Sequence, residues 1–215
     1  PEAAAFLNRG ASVLLVDFRG SGGSSESYTT VGVHEAADVA AVVRRVRAAF
    51  AHPRIVLFGQ SMGAAAILRA LARHDVRPDA VIIESVFDTL LKTVRNRFAL
   101  VGIPSFPSAH LLVFWGGAQW GFNGFDHRPM ADAASVRCPV LFMHGTNDPL
   151  ATPADGRRVY EAVAGPKEFV EFPSTGHQAY LAARPDLWLP AVERFMAQVS
   201  AGRPKIGRAS CRERV

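Results

Sequence analysis

Short apolar runs alternate with longer amphipathic stretches along most of this 215-residue chain. Five runs rich in Val, Ile, Leu and Phe read as strands: Ser12–Phe18, Arg54–Gly59, Ala80–Glu84, Val140–His144 and Glu168–Phe172. The first four are almost continuously apolar, the pattern of parallel strands covered on both faces. Between them, over residues 34–50, Val39, Val42, Val43, Val46 and Phe50 recur at helical spacing and form one stripe. Glu35 and Asp38 near its start and Arg44, Arg45 and Arg47 near its end complement the helix dipole, the arginines as a solvated face. Thr152-Pro153 and Gly165 bracket a helix with Val159, Tyr160 and Val163, supplying an N-cap, a proline at the first position and a glycine past the end. The opening residues read as the second half of a helix ending at Gly10. A closing helix sets Trp188, Val192, Phe195, Met196 and Val199 on one face. Strands alternating with helices predict an α/β fold, a mostly parallel sheet with helices on both faces.

The rhythm breaks between Ser85 and Val136, a stretch without a strand pattern and rich in Phe, Trp, Gly and Pro. A connection this long inside a compact domain reads as a lid-like insertion, placed here at residues 86–136 of a core spanning 1–200. Phe106, Leu111, Trp115, Trp120 and Phe122 line an acyl pocket on one reading and form a small satellite core on the other. The final residues, Ile206 to Val215, have no apolar periodicity and resemble the translated read-through of a sequencing adapter. Residues 201–215 are accordingly expected to be a non-native or disordered tail.

Composition narrows the function classes. Apolar residues make up 49% and charged residues 20% of the chain, which excludes a disordered or collagen-like protein. The net charge is +5, but setting aside Arg208, Arg212, Arg214 and Glu213 leaves +3, so the basic balance is no argument for nucleic-acid binding. No apolar run approaches the ~20 residues that span a bilayer. Cys138 and Cys211 make no disulfide framework, and no HExxH or paired CxxC suggests a metal; no cofactor is expected. The compartment stays open, with a cytoplasmic location as the default. Gly20, Gly22 and Gly23 follow a predicted strand, but Ser25 occupies the last glycine position of a dinucleotide-binding fingerprint.

The chemistry-bearing pattern is Gly59-Gln60-Ser61-Met62-Gly63, set between the predicted strand at Ile55–Phe58 and a small-residue helix. A serine on a tight strand-to-helix turn faces outward, and the helix N-terminus behind it favours negative charge. Ser61 is therefore the candidate nucleophile, and glycines two positions either side are expected to relieve Cβ crowding. A serine hydroxyl needs a base, and the base needs an orienting group. Asp148 follows the predicted strand at Val140–His144, and His177 follows the one at Glu168–Phe172, with Gly176 expected to lend backbone freedom. Glu84, at the end of another strand, is the alternative acid. The other histidines, His144 among them, read as surface or core residues, His144 as a buried strand-end residue bonded to backbone. Arg19 reads as an anchor for its own loop, and Cys138 as a small buried residue.

On the order Ser61…Asp148…His177, the GxSxG turn and the Asp17-Phe18-Arg19-Gly20 loop, the chain resembles α/β-hydrolases. It is closest to bacterial serine aminopeptidase-like and monoacylglycerol-lipase-like proteins. That resemblance implies Ser61 as nucleophile, His177 as base and then acid, Asp148 as its orienting partner, and the Met62 backbone N–H as an oxyanion donor. Gln60, Leu111 and Trp115 are the candidate substrate contacts. The implied function is a serine hydrolase acting on a carboxylic ester, thioester or amide through an acyl-enzyme. A peptidase of the aminopeptidase-like branch and a non-catalytic binding protein of the same fold are the alternatives. The resemblance also implies a second oxyanion loop and outer strands upstream of Pro1, and a central strand between those at Ser12–Phe18 and Arg54–Gly59. These 215 residues alone are therefore expected to fold poorly and turn over little.

Overall fold

The computed structural model describes residues 1–202; the predicted tail beyond Gly202 lies outside the described residues. In chain order the elements are α1 (Glu2–Leu7), α2 (Glu35–Ala49), β1 (Val56–Gln60), α3 (Met62–Arg73), β2 (Ala80–Glu84), α4 (Leu90–Leu100) and α5 (Ser108–Gln119). After a short 3-10 turn come α6 (Pro129–Ala133), β3 (Val140–Gly145), α7 (Pro153–Ala162), β4 (Lys167–Phe172), α8 (Tyr180–Ala183) and α9 (Pro185–Ser200). The four strands form one parallel sheet in the order β1-β2-β3-β4. Val56 pairs with Ala80, Val81 with Val140, and Val140 with Lys167.

Two cores sandwich this sheet, and the two-residue period of the strands decides which side chain joins which. Val81, Ile83, Val140 and Phe142 face α2, α3, α6 and α7. Ala80, Ile82, Leu141 and Met143 face Ala5, Tyr180, Trp188, Val192 and Phe195. Every residue of β2 and β3 is buried, because each strand is paired on both edges and covered on both faces. Helix α3 carries five consecutive buried residues, Ala64 to Leu68, and the small side chains of Ala64, Ala65 and Ala66 let it lie close to the sheet. At 25 cal/mol per Å² of apolar area, such buried side chains are the main stabilising contribution.

The structure departs from the sequence pattern in three places. Ser12–Phe18 is not a strand: no strand among the described residues runs beside it, so its backbone has no ladder to join, and Leu15 is 78% exposed. Phe50 does not complete the stripe of α2; it is the extended C-cap residue and faces solvent. Gly165 does not terminate α7, whose C-cap is Val163. Gly165 instead lies where the chain passes close to the Arg137 and Cys138 carbonyls, which a Cβ would meet at 2.5–2.6 Å. Residues 86–136 hold three helices, α4, α5 and α6; α5 buries only Ala109, Val113 and Gly117. Elsewhere the local signals hold. Thr152 caps α7 with a reciprocal Asp155 contact and Pro153 at the first turn, and the arginines of α2 are solvent-facing.

Candidate active site

Parallel strands deliver their carboxyl ends to one edge of the sheet, and the loops that follow β1, β3 and β4 carry Ser61, Asp148 and His177. Ser61 connects β1 to α3 with φ +50° and ψ −112°, a conformation L-residues rarely adopt. Such strain costs about 1–3 kcal/mol and persists only where the surroundings over-determine it. Here the Ser61 N–H donates to the Glu84 carbonyl at 2.8 Å, fixing the turn to the end of β2. A Cβ at Gly59 would lie 2.7 Å from Ala64 N and Gly63 C, so that glycine is required by the close return of α3. Gly63 is not required in this way, since a Cβ there meets only Phe18, at 3.9 Å.

Asp148 is buried in the loop after β3. Its Oδ1 accepts the backbone N–H groups of Leu150 and Ala151, both at 2.9 Å, which points Oδ2 at His177. His177 Nδ1 lies 2.7 Å from Asp148 Oδ2, and its Nε2 lies 3.0 Å from Ser61 Oγ. The chain of contacts fits a neutral imidazole that donates from Nδ1 to the carboxylate and accepts the serine proton at Nε2. The loops after β3 and β4 brace one another: Asn147 N–H donates to the Thr175 carbonyl, and Ser174 N–H to Thr146 Oγ1. Gly145 permits this approach, as a Cβ there would sit 2.2 Å from the Thr175 carbonyl oxygen. Gly176 has no such role. Its Cβ position is open to 3.8 Å, and the left-handed residue of the loop is Ser174, with φ +54°.

The other sequence-derived candidates have the following surroundings. Met62 is the first residue of α3, so its N–H is among the first-turn donors that lack an intrahelical acceptor. Gln60 ends β1, and its amide nitrogen donates to the Gln178 carbonyl, tying the nucleophile turn to the histidine loop. Leu111 and Trp115 lie on α5, 51% and 65% exposed. Glu84 is not bonded to His177; its carboxylate accepts the Trp188 indole N–H below the site. Burial pushes the Glu84 carboxyl up to about 7, against the Trp188 bond that favours its charged form. His144 is buried with Nε2 2.8 Å from the Ala151 carbonyl, and burial lowers its basicity. Arg19 anchors its loop to α2, where Asp38 takes its backbone N–H, Nε and Nη2.

One part of the site has no sequence signature. Tyr180 OH lies 2.6 Å from Ser85 Oγ and accepts the Gly145 N–H, joining the ends of β2 and β3 to the helix that follows His177. Its position three residues past His177 is the sole hint, and many exposed tyrosines share such spacing. No group of acids, cysteines and histidines among the described residues could hold a metal ion. No helix among them is long and apolar enough to cross a membrane.

A family model described as "Alpha/beta hydrolase family" matches residues 3–191. The chain belongs to the alpha/beta hydrolase family. It is similar to the uncharacterized protein Rv2307c of Mycobacterium tuberculosis, 29% identical over 199 residues that cover 92% of this chain and 64% of that protein. It is also similar to the lysophosphatidylserine lipase ABHD12 of Macaca fascicularis, 24% identical over 172 residues, 76% of this chain and 40% of the lipase. The chain thus spans less than two thirds of the length of either relative. Among solved structures, the Pyrococcus furiosus esterase Pf2001 superposes with a TM-score of 0.73 at 23% identity, over 92% of this chain and 74% of the esterase. That likeness speaks for the alpha/beta hydrolase fold. Members of this family are mostly hydrolytic enzymes.

Proposed function

We propose that the protein is a serine hydrolase that cleaves carboxylic esters through an acyl-enzyme. The observation that carries this reading is the unbroken contact from Ser61 Oγ through the His177 ring to Asp148, at 3.0 and 2.7 Å. Ser61 Oγ attacks the ester carbonyl carbon as His177 Nε2 takes its proton. Asp148 holds the ring and stabilises the imidazolium. The Met62 N–H, at the start of α3, donates to the oxyanion. His177 then gives the proton to the departing alcohol, leaving the acyl group on Ser61. Water attacks that ester, again losing its proton to His177, and the acid departs as Ser61 Oγ regains its proton.

The insertion supports an ester with an apolar acyl group. Residues 89–125 contain no aspartate or glutamate, and Leu111 and Trp115 offer apolar surface on α5. Gln60, one residue before the nucleophile, is the polar group placed to orient the substrate or the histidine loop. The substrate is a small molecule; no metal, cofactor or nucleic acid enters the chemistry. The test is turnover of p-nitrophenyl acetate and butyrate, together with labelling by a fluorophosphonate, by the full-length protein, because the 215 residues alone are expected to turn over little. Expected are hydrolysis, a covalent label on Ser61, and a loss of about 10⁶-fold in kcat on Ser61→Ala. Hydrolysis undiminished by Ser61→Ala, or a folded protein that never labels, would overturn the reading. Faster turnover of an aminoacyl anilide than of either ester would move the substrate class to peptides.

A further inference from the structure

A second concave site lies apart from the serine. A cleft of about 860 Å³ opens between α2, α3 and residues 121–131, and none of Ser61, Asp148 and His177 lines it. Its size is that of a site for an organic ligand rather than a bare ion. Four arginines from three parts of the chain line it: Arg19 from the loop before α2, Arg69 and Arg73 from α3, and Arg128 from the turn before α6. Arg69 and Arg73 are one helical turn apart, so both guanidinium groups emerge on the same face.

The arginines are only partly neutralised. Asp38 holds Arg19 through Nε and Nη2, which leaves Nη1 of that group unspent by the pair. Asp132, buried behind α3, lies 3.4 Å from Arg73 and 3.9 Å from Arg69, so one carboxylate is shared between two guanidinium groups. Arg128 forms no ion pair among the described residues. The one carboxylate that lines the cleft, Asp126, already accepts the Asn123 amide. Each guanidinium carries five N–H donors, and Asp38 and Asp132 together take up three from the side chains of the four. Charge-assisted donors from three parts of the chain therefore line one cleft, whose one lining carboxylate is Asp126.

The same cleft also carries aromatic rings. Tyr28 and Phe122 line the cleft, and Trp120 stacks on Tyr28 with ring centroids 3.8 Å apart and planes 11° apart. His34 packs edge-to-face against both Tyr28 and Phe122, which fixes the rings in place. Converging guanidinium groups from separate elements suit a tetrahedral dianion, whereas a carboxylate engages one fork at a time. We propose that this cleft binds a phosphorylated small molecule, a phosphate monoester whose dianion is held by the four arginines and whose organic part lies on Tyr28 and Phe122. The assignment is independent of the chemistry proposed for Ser61.

The test is a calorimetric titration of the full-length protein with phenyl phosphate, inorganic phosphate and benzoate. Phenyl phosphate is expected to saturate one site and to bind at least about tenfold more tightly than benzoate. Inorganic phosphate falls between them, because it keeps the charge contacts and lacks the ring. Arg73→Ala with Arg128→Ala removes two charge-assisted contacts from exposed side chains and is expected to weaken phenyl phosphate at least about tenfold. Should that variant misfold by circular dichroism, Arg73→Gln alone, a change at a side chain that is 61% exposed, serves the same purpose with a smaller loss. Vesicles of phosphatidylcholine with phosphatidic acid distinguish the source of the phosphate. Binding of both vesicles and phenyl phosphate makes the ligand a lipid headgroup; binding of phenyl phosphate alone makes it a soluble ester. Absence of saturable phenyl phosphate binding, equal affinity for benzoate, or affinity unchanged in a folded arginine variant overturns the proposal, as does binding to the vesicles alone.

Discussion

Val13-Leu14-Leu15-Val16 and Val140-Leu141-Phe142-Met143 are both short apolar runs that lead into a polar loop with an aspartate, Asp17 in one and Asp148 in the other. The second is β3, hydrogen-bonded to β2 on one edge and β4 on the other, with every side chain buried. The first forms no strand, and Leu14, Leu15 and Val16 are all exposed. The aspartates diverge with their runs. Asp148 is buried and oriented by two backbone N–H groups, whereas Asp17 sits at the surface and accepts the Gly23 N–H. An apolar run states a preference for extended backbone. Whether it becomes a strand, and whether the residue at its end becomes a positioned group, depends on a neighbour to pair with.

Five substitutions probe that contrast. The largest effect belongs to the two aspartates. Asp148→Asn is expected to lower kcat on p-nitrophenyl butyrate by about 10⁴-fold, because the amide favours the wrong histidine tautomer. Asp17→Asn should change it by no more than a few-fold; comparable losses in the two variants would erase the distinction drawn between the loops.

Next come the runs themselves. Phe142 is fully buried between Tyr160 and Phe169, with its ring stacked on Phe169 at 5.4 Å. Phe142→Ala should cost about 3–5 kcal/mol of unfolding free energy by urea titration. Leu15→Ala should stay within about 0.5 kcal/mol, as an exposed side chain loses little. A Leu15→Ala loss of several kcal/mol would mean that residues 12–18 are paired and covered in solution.

The smallest effect concerns charge at the end of the paired region. Glu84 on β2 is held near a pKa of about 7 by burial, above its ordinary 4.5. An acid raised in the folded state loses its proton more readily when unfolded. Its contribution to stability is therefore complete below about pH 4.5 and is lost as pH climbs through 7. The loss amounts to about 3 kcal/mol, taking 1.36 kcal/mol per pKa unit. Glu84→Gln should flatten the decline of the urea midpoint between pH 5 and 8. Parallel pH profiles for the two proteins would show that Glu84 is not the group responsible.

Much of the site could be read before any coordinates, since it is written in local patterns. The GxSxG turn places Ser61 between a strand and a helix, and Gly59 is indispensable because α3 returns so closely over it. The loops after two apolar runs could carry only a few acids and histidines, and Asp148 and His177 were among them. The glycine readings were less secure: Gly63 and Gly176 meet no close neighbour, while Gly145, unmarked in the sequence, is pressed against the Thr175 carbonyl. The Tyr180–Ser85–Gly145 junction was invisible as well, because its members lie up to 95 residues apart.

The order of residues by itself determined the α/β class, the capped start of α7, the period that divides each strand between two cores, and the turn that exposes Ser61. These follow from interactions within a few residues: backbone sterics, capping hydrogen bonds and side-chain periodicity. Tertiary structure decided which apolar runs became strands, which carboxylate reached His177, and where four arginines from separate segments came to share a cleft. Those outcomes depend on which distant segments end up adjacent, and hydrogen-bond pairing, burial and convergent charge exist only once the chain has brought them together.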